Sequence, residues 1–379
     1  MKVVQLPGSL SRDGGGVFQV ALNHALQIQS SQDYSIEVIG KEDKHLKDDE
    51  HRWSGIPCTA LQQSIPIIHQ IAGLEKAILK SKPSIMHSHM LWTSQSRTIL
   101  KVSNYLRIPY VVSPHGMLDP WTIDFKKRIA LATFERKSLE NAACIHALNL
   151  SEYETIRKLG FKNPIAIIPN GINLGQNQIF PTKNKAKKTL LFLSRIDPKK
   201  GLEPLIKAIS LIKAQFEPIY ELVIHGWGEK SYQEKIERQI VSLGLENCVF
   251  IKKAVFETEK DKVFQNCDAF ILPSYSEGFP MVILEAWAHS KPVLMTTACN
   301  IPEGFIQKAA IKIETDPEVL SKELLSFISK SNEELEQIGI EGYELVKNNF
   351  TWPKIGQKLF QMYDWILKSS KKPDFIMLK

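Results

Sequence analysis

Short apolar runs and amphipathic stretches alternate along this chain with a regularity that predicts its elements. "KVVQLP" reads as a buried strand, and "GGGVFQVALNHALQIQ" follows as a glycine turn and a helix with apolar residues at helical spacing. The unit recurs as "SIMHSHMLW" with "SQSRTILKVSNYLR", and again as "IPYVVSPHGM" with "KRIALATFERKSLENA". A fourth copy, "CIHALNLSEYETIRKLG", places Ser151 as a helix N-cap. Strands alternating with helices predict a parallel sheet covered on both faces, whose ligands bind beyond the carboxyl ends of the strands. The loops that hold Gly14 to Gly16, His89 and His115 fall at such ends.

Around "IAIIPNGINLGQNQIFPTKNKAKK" the periodicity gives way to Pro, Asn, Gly and Lys, which marks a domain boundary. Alternation then restarts with "TLLFLSRIDPKKGLEPLIKAISLI", "YELVIHGWGE", "CVFIKK", "CDAFILPS" and "KPVLMTT". The fold class is therefore α/β, with two doubly wound domains, and the cleft between such domains is where a ligand is expected. "TWPKIGQKLFQMYDWILKSSKKPDF" reads as a final helix with Phe360, Met362, Tyr363 and Ile366 along one side. That stripe faces either a core, packing across both domains, or a membrane surface.

The 379 residues are long enough for two cores, and 43% hydrophobic with 23% charged residues is the composition of a globular protein. Five cysteines, odd in number and without C-x-x-C spacing, indicate neither a disulfide framework nor a zinc site and point to a reducing compartment. The apolar stretch at the N-terminus is too short for a signal peptide, and no run approaches the ~18 apolar residues of a spanning helix. A cytoplasmic location is expected, with any membrane contact peripheral. The basic excess lies in the first half, with 20 Lys/Arg against 15 Asp/Glu up to Gly175 and 28 against 26 beyond it. Lys126, Lys127 and Arg128 form either a solvated helix face or a contact for an anionic membrane surface or acceptor. No nucleic-acid partner is expected.

Chemistry concentrates in the strand-to-helix loops. In "SRIDPKKGLEPL", Arg195 and Lys200 follow an apolar strand and precede a helix, where backbone N–H groups already favour an anion such as a diphosphate. The alternative is two surface cations paired with Asp197 or Glu203. Gly14, Gly15 and Gly16 leave backbone open to a phosphate or sugar, but neither the G-x-G-x-x-G fingerprint nor Walker A spacing is present. In "PSYSEGFPMVILEAWAHSKPV", Pro280 is placed as the first helical residue, Glu277 in the loop before it and Glu285 in the second turn. Glu285 interrupts an apolar run and needs a partner, either the hydroxyls of a ribose or an internal Lys or Arg. Glu277, beside the amides of Gly278 and Phe279, suits the hydroxyls of a sugar.

His115 in "SPHGM" closes an apolar strand and is read as either structural or catalytic. His87 and His89 share a strand face as metal ligands would, but no third ligand appears at suitable spacing, and the chain has no D-x-D pair for a metal-bound diphosphate. No metal and no cofactor are expected.

Taken together these residues resemble the retaining GT-B glycosyltransferases called group 1, or family 4. The likeness covers nearly the whole chain and is most specific in the Glu277-x7-Glu285 segment. It implies two Rossmann-like domains facing a central cleft. The first, 1–173, would bind the acceptor, with the helix 353–379 packing back on it; the second, 174–352, would bind the nucleotide sugar. It also implies that Arg195 and Lys200 hold the donor diphosphate with Gly15 and Gly16 against it. Glu277, in its Gly278-Phe279-Pro280 turn, would contact the donor sugar, Glu285 the ribose, and His115 would sit beside sugar and acceptor. Lys253, Ser290 and Asn173 depart from the pattern, since glycine is common near Lys253, glycine is usual at 290 and aspartate at 173. The activity implied is transfer from a UDP- or GDP-linked sugar to a glycan or lipid-linked glycan in cell-surface polysaccharide synthesis, at the inner face of the membrane. The rival expectations are a nucleotide-sugar epimerase on the same fold and a catalytically silent scaffold.

Overall fold

The computed structural model describes residues 1–65, 70–175 and 186–378, so part of the Lys-rich break, 176–185, lies outside the described residues. The chain forms two compact units: Met1–Gly171 with Trp352–Lys379, and Ile172–Thr351.

In the first unit, β1 (Lys2–Leu6), β2 (Ser35–Lys41) and β3 (Cys58–Leu61) form one half of a sheet; β4 (Gln63–Ile65) and β5 (Gln70–Ile71) pair antiparallel as a separate two-stranded sheet. The other half holds β6 (Ile85–Ser88), β7 (Tyr110–Val112), β8 (Cys144–Ala147) and β9 (Ile165–Ile167). The strand order is β16-β9-β8-β7-β6-β1-β2-β3, with β16 (Ile376–Met377) as the edge strand. All pairings are parallel except that of β16, which runs antiparallel to β9. Strand side chains alternate between faces, and two cores result. Val4, Leu6, Met86, Tyr110, Val112 and Ile145 pack on one face, while Val3, Val111, Cys144 and Ala166 pack on the other.

The second face is covered by the helix Gly15–Gln29 and by the last helix, Trp352–Lys368. The last helix buries Trp352, Ile355, Leu359, Met362 and Tyr363 into the core of the first unit. Of the stripe expected from sequence, Met362 and Tyr363 are fully buried, and Phe360 and Ile366 flank that core partly buried.

The second unit is a six-stranded parallel sheet ordered β12-β11-β10-β13-β14-β15. Its strands are β10 (Lys188–Leu193), β11 (Tyr220–His225), β12 (Val249–Lys252), β13 (Ala269–Leu272), β14 (Val293–Met295) and β15 (Ala310–Lys312). The apolar run "TLLFL" becomes the central strand β10, whose Leu190, Leu191 and Phe192 are buried. Among the described residues, no helix is long and apolar enough to cross a membrane.

Candidate functional site in the strand-end loops

Beyond β10 the chain turns through Ser194 to Asp197 into a short 3-10 turn, Pro198–Lys200, and then the helix Leu202–Leu211. Asp197 caps that turn by accepting a hydrogen bond from the Lys199 amide. Gly201, at φ +72°, joins turn to helix, and a Cβ there would lie 2.0 Å from the Pro273 carbonyl oxygen. Only glycine permits this approach of the loop after β10 to the loop after β13. The Tyr275 amide ties the two loops by donating to Lys199 O at 2.8 Å.

The approach buries Lys200 against Glu277. Its Nζ lies 2.5 Å from Glu277 Oε1, with each side chain only 9% exposed. Ser274 donates to the same Oε1 at 2.6 Å, the Glu277 amide donates to Ala298 O at 3.0 Å, and the Asn300 side chain donates to Glu277 O at 2.6 Å. The Glu277 carboxylate is therefore fixed in position, with Oε2 taking neither bond. The ammonium of Lys200 has three protons, and Glu277 uses one.

Arg195 is exposed and reaches Asp197 only at 4.0 Å. It borders a groove of about 510 Å³ lined in part by Asp197, Trp227, Gly228 and Tyr232. Gly228 makes room for this groove's wall, since a Cβ there would lie 2.0 Å from Ile196 O. Of the two sequence-derived pairings, Arg195 keeps Asp197, whereas Lys200 takes Glu277 in place of Asp197 or Glu203. Lys200 is buried and faces the loop after β13, and that is the physical reason.

The helix after Glu277 is Met281–Ala288, with Pro280 as N-cap rather than first helical residue: its ψ of 99° is extended, not helical. Gly278 is exposed and Phe279 packs near Phe350, ring centroids 6.0 Å apart. Glu285 stands in the second turn and is held by Lys260, whose Nζ lies 2.5 Å from each carboxylate oxygen. The internal-lysine alternative thus describes this structure, and the pair is still about a quarter exposed, with side chains at 27% and 22%.

In the first unit, Gly15 and Gly16 are exposed and form the first turn of the helix Gly15–Gln29, Gly15 at φ +56°. His115 follows β7 at φ +52°, half-buried, with its Nε2 3.0 Å from His89 Nδ1. Burial, then the neighbouring His146, pushes His115 down to about 3. Glu152 holds this loop, accepting from the amides of Gly116 and Leu148 at 2.7 Å each. Burial outweighs those two bonds and lifts Glu152 to about 7. The N-cap of its helix, Leu150–Lys158, is Asn149 rather than Ser151, because the Asn149 side chain accepts from the Glu152 amide at 2.9 Å.

Behind His115 runs a buried chain of hydrogen bonds. Ile168 O can only accept, so His146 Nε2, at 2.7 Å, must donate. Neutral His146 then accepts at Nδ1 from Ser113, which accepts from His87 Nε2, and His87 Nδ1 accepts from Tyr363; the links are 2.7, 2.7 and 2.6 Å. Each proton has one place.

The family comparisons divide the chain as the two sheets do. A family model described as "Glycosyl transferases group 1" matches residues 176–345, and one described as "Glycosyltransferase Family 4" matches residues 14–176. The chain is a group 1 glycosyltransferase. An uncharacterised glycosyltransferase of Methanocaldococcus jannaschii is 28% identical to this glycosyltransferase over 294 residues, 76% of this chain and 78% of its own. The capsular polysaccharide biosynthesis glycosyltransferase CapM of Staphylococcus aureus is 23% identical over 366 residues, 89% and 91% of the two chains. Among solved structures, Anabaena HepE in complex with UDP and glucose superposes with a TM-score of 0.75 at 18% identity, covering 96% of this chain and 99% of its own. That likeness establishes the GT-B fold.

Sequence reasoning on this glycosyltransferase missed Lys260, Ser274 and Asn300 around the two glutamates, and His24, Ser113, His146 and Glu152 around His115. Only the Asn149-x-x-Glu152 spacing, a capping signature, pointed at any of them, namely Glu152.

Proposed function

We propose that this glycosyltransferase moves a sugar from a UDP- or GDP-linked donor to a hydroxyl of a glycan or lipid-linked glycan, with anomeric configuration retained and no metal needed at the diphosphate. The observation that carries the reading is the buried Lys200–Glu277 pair and exposed Arg195 in the loop that leads into the helix Leu202–Leu211, which no side chain caps among the described residues. As the bond from C1 to the diphosphate oxygen breaks, negative charge grows on the leaving group. Arg195, the two spare protons of Lys200 and the helix N-terminus meet that charge. Glu277, oriented by Ser274 and Lys200, accepts from sugar hydroxyls, with Gly278, Phe279 and Pro280 shaping its turn. Glu285 accepts from the ribose, which competes with Lys260 for its oxygens.

The acceptor oxygen forms its bond to C1 on the face the diphosphate leaves, and its proton passes to a departing phosphate oxygen. No carboxylate is assigned as a nucleophile. We assign His115, Gly15 and Gly16 of the first unit to the sugar, acceptor and diphosphate backbone. The names of relatives support the setting: CapM belongs to capsular polysaccharide biosynthesis, and HepE is described with UDP. Work at the inner face of a membrane, through a peripheral contact of the basic first half, completes the reading.

Thermal unfolding with UDP, GDP or ADP tests it. Nucleotide at 100 times its Kd adds roughly 2.7 kcal/mol, a rise of several degrees. The increment from one nucleotide should persist when EDTA is present throughout. An absence of shift with all three removes the donor assignment and brings forward the scaffold reading.

A further inference from the structure

We infer that the first unit holds a divalent transition-metal ion on three histidines, His24, His87 and His89. Sequence spacing offered only His87 and His89; the fold supplies the third from the helix Gly15–Gln29, which covers that face of the sheet. Among the described residues, one ligand atom of each ring lies within 4.8 Å of the other two, and all three residues are buried. The rings of His87 and His89 stack with centroids 4.4 Å apart, and His24 faces both at 6.1 and 5.5 Å.

The second observation concerns unmet polar atoms. Among the described residues, both ring nitrogens of His24 and Nε2 of His89 are buried without a hydrogen-bond partner. A buried imidazole nitrogen left unpaired is costly, and one nitrogen of His24 together with Nε2 of His89 is open to a guest that the two rings share. Burial keeps all three rings neutral, as ligands must be.

The donor set selects the ion. Three imidazoles with no carboxylate or thiolate suit Zn²⁺, Co²⁺, Ni²⁺ or Cu²⁺ and do not suit Mg²⁺ or Ca²⁺. Tetrahedral bonds of 2.0–2.1 Å put ligand nitrogens about 3.4 Å apart, so the rings close by about an ångström. His24 and His89 bring open nitrogens. His87 brings its Nδ1 lone pair, exchanging the Tyr363 hydroxyl for the metal, while Gln5 lies within reach of the released hydroxyl and His87 Nε2 keeps its bond to Ser113.

A consequence reaches His115. Metal on His89 Nε2 confines the proton of that ring to Nδ1, which donates to His115 Nε2 3.0 Å away. His115 then carries its own proton on Nδ1. The ion orients His115 through His89, as outer partners orient metal-bound imidazoles elsewhere.

The test is cobalt titration of the chelator-stripped full chain. One equivalent of Co²⁺ should give the visible absorption of a histidine site, and elemental analysis of protein from unsupplemented medium identifies the native ion. His24→Gln and His89→Gln should each weaken binding by roughly tenfold or more, while His45→Gln with His51→Gln, at the surface, keeps it. Should either core variant fail to fold, ring nitrogen NMR of the wild type decides: Zn²⁺ must move the His24 and His89 signals. No stoichiometric Co²⁺, binding that survives both core variants, or unmoved ring signals overturns the site.

Discussion

Lys200 and Glu277 stand 77 residues apart in sequence yet meet at 2.5 Å with both side chains nine-tenths covered. A buried pair of this kind is fragile to the loss of one partner, because the other charge stays behind without compensation. Lys200→Met and Glu277→Gln should each destabilise the fold by about 3 kcal/mol, and the double variant should recover part of that loss. Urea unfolding of the four proteins measures the coupling; additive effects would show the pair to be energetically idle. Both single variants should also lower kcat, by at least roughly 10²-fold for Lys200.

Arg195 gives the complementary case. It is exposed and, among the described residues, pairs with Asp197 alone, at 4.0 Å. Arg195→Ala should leave stability within about 0.5 kcal/mol and lower kcat by at least about 10²-fold, near 3 kcal/mol of lost charge stabilisation. Steady-state kinetics beside a denaturation curve separates the two effects, and full activity would take Arg195 out of the reaction.

For Glu285 the readout is nucleotide affinity. Glu285→Ala should weaken nucleotide binding by roughly 1–3 kcal/mol if ribose hydroxyls are its partners. Lys260→Met, which removes the resident competitor for both oxygens, should weaken it far less. Calorimetric titration of both variants checks this, and equal losses would point to Lys260 as the true contact.

Gly201 sets the position of Lys200. Gly201→Ala forces a left-handed residue and a Cβ 2.0 Å from Pro273 O, at a combined loss of about 3 kcal/mol. A midpoint unchanged in urea would mean that the two loops separate easily.

Stability should vary with pH through Glu152. Its value rises from 4.5 unfolded to about 7 folded, because burial outweighs the Gly116 and Leu148 amides. The folded protein therefore holds a proton that the unfolded chain releases above 4.5. That stabilising proton is fully present below pH 4.5, and its contribution falls as pH rises to 7, by up to about 3 kcal/mol. Glu135, also near 7 through burial, adds a second loss of the same sign. Glu152→Gln should flatten the dependence between pH 5 and 7 measured by thermal unfolding. An unaltered slope would mean that Glu152 is ionised in the folded state.

The strands named from sequence stood out as mostly apolar runs between turn residues, and "TLLFL" lies mid-sheet as β10, whereas β2, whose apolar residues are interrupted by Glu37 and Gly40, was not among them. Ser290, standing where glycine is usual, adopts φ +53°, a left-handed conformation that glycine takes without strain. Asn149 and Ser151 are both capping residues two positions apart, and local sequence alone does not rank them. Lys260 and His24 were illegible for another reason. Each lies on a helix whose packing against a distant segment brings it to Glu285 or to His87 and His89, and neither periodicity nor spacing encodes that meeting.

The helix Trp352–Lys368 has one more implication, for the order of assembly. The residues that close the core of the first unit leave the ribosome after the whole of the second unit. The half that is begun first is completed last: until Tyr363 arrives, His87 lacks one end of its hydrogen-bonded chain and the face beneath Trp352 lies open. A nascent chain stopped before residue 352 would therefore carry a finished second unit and an unfinished first one.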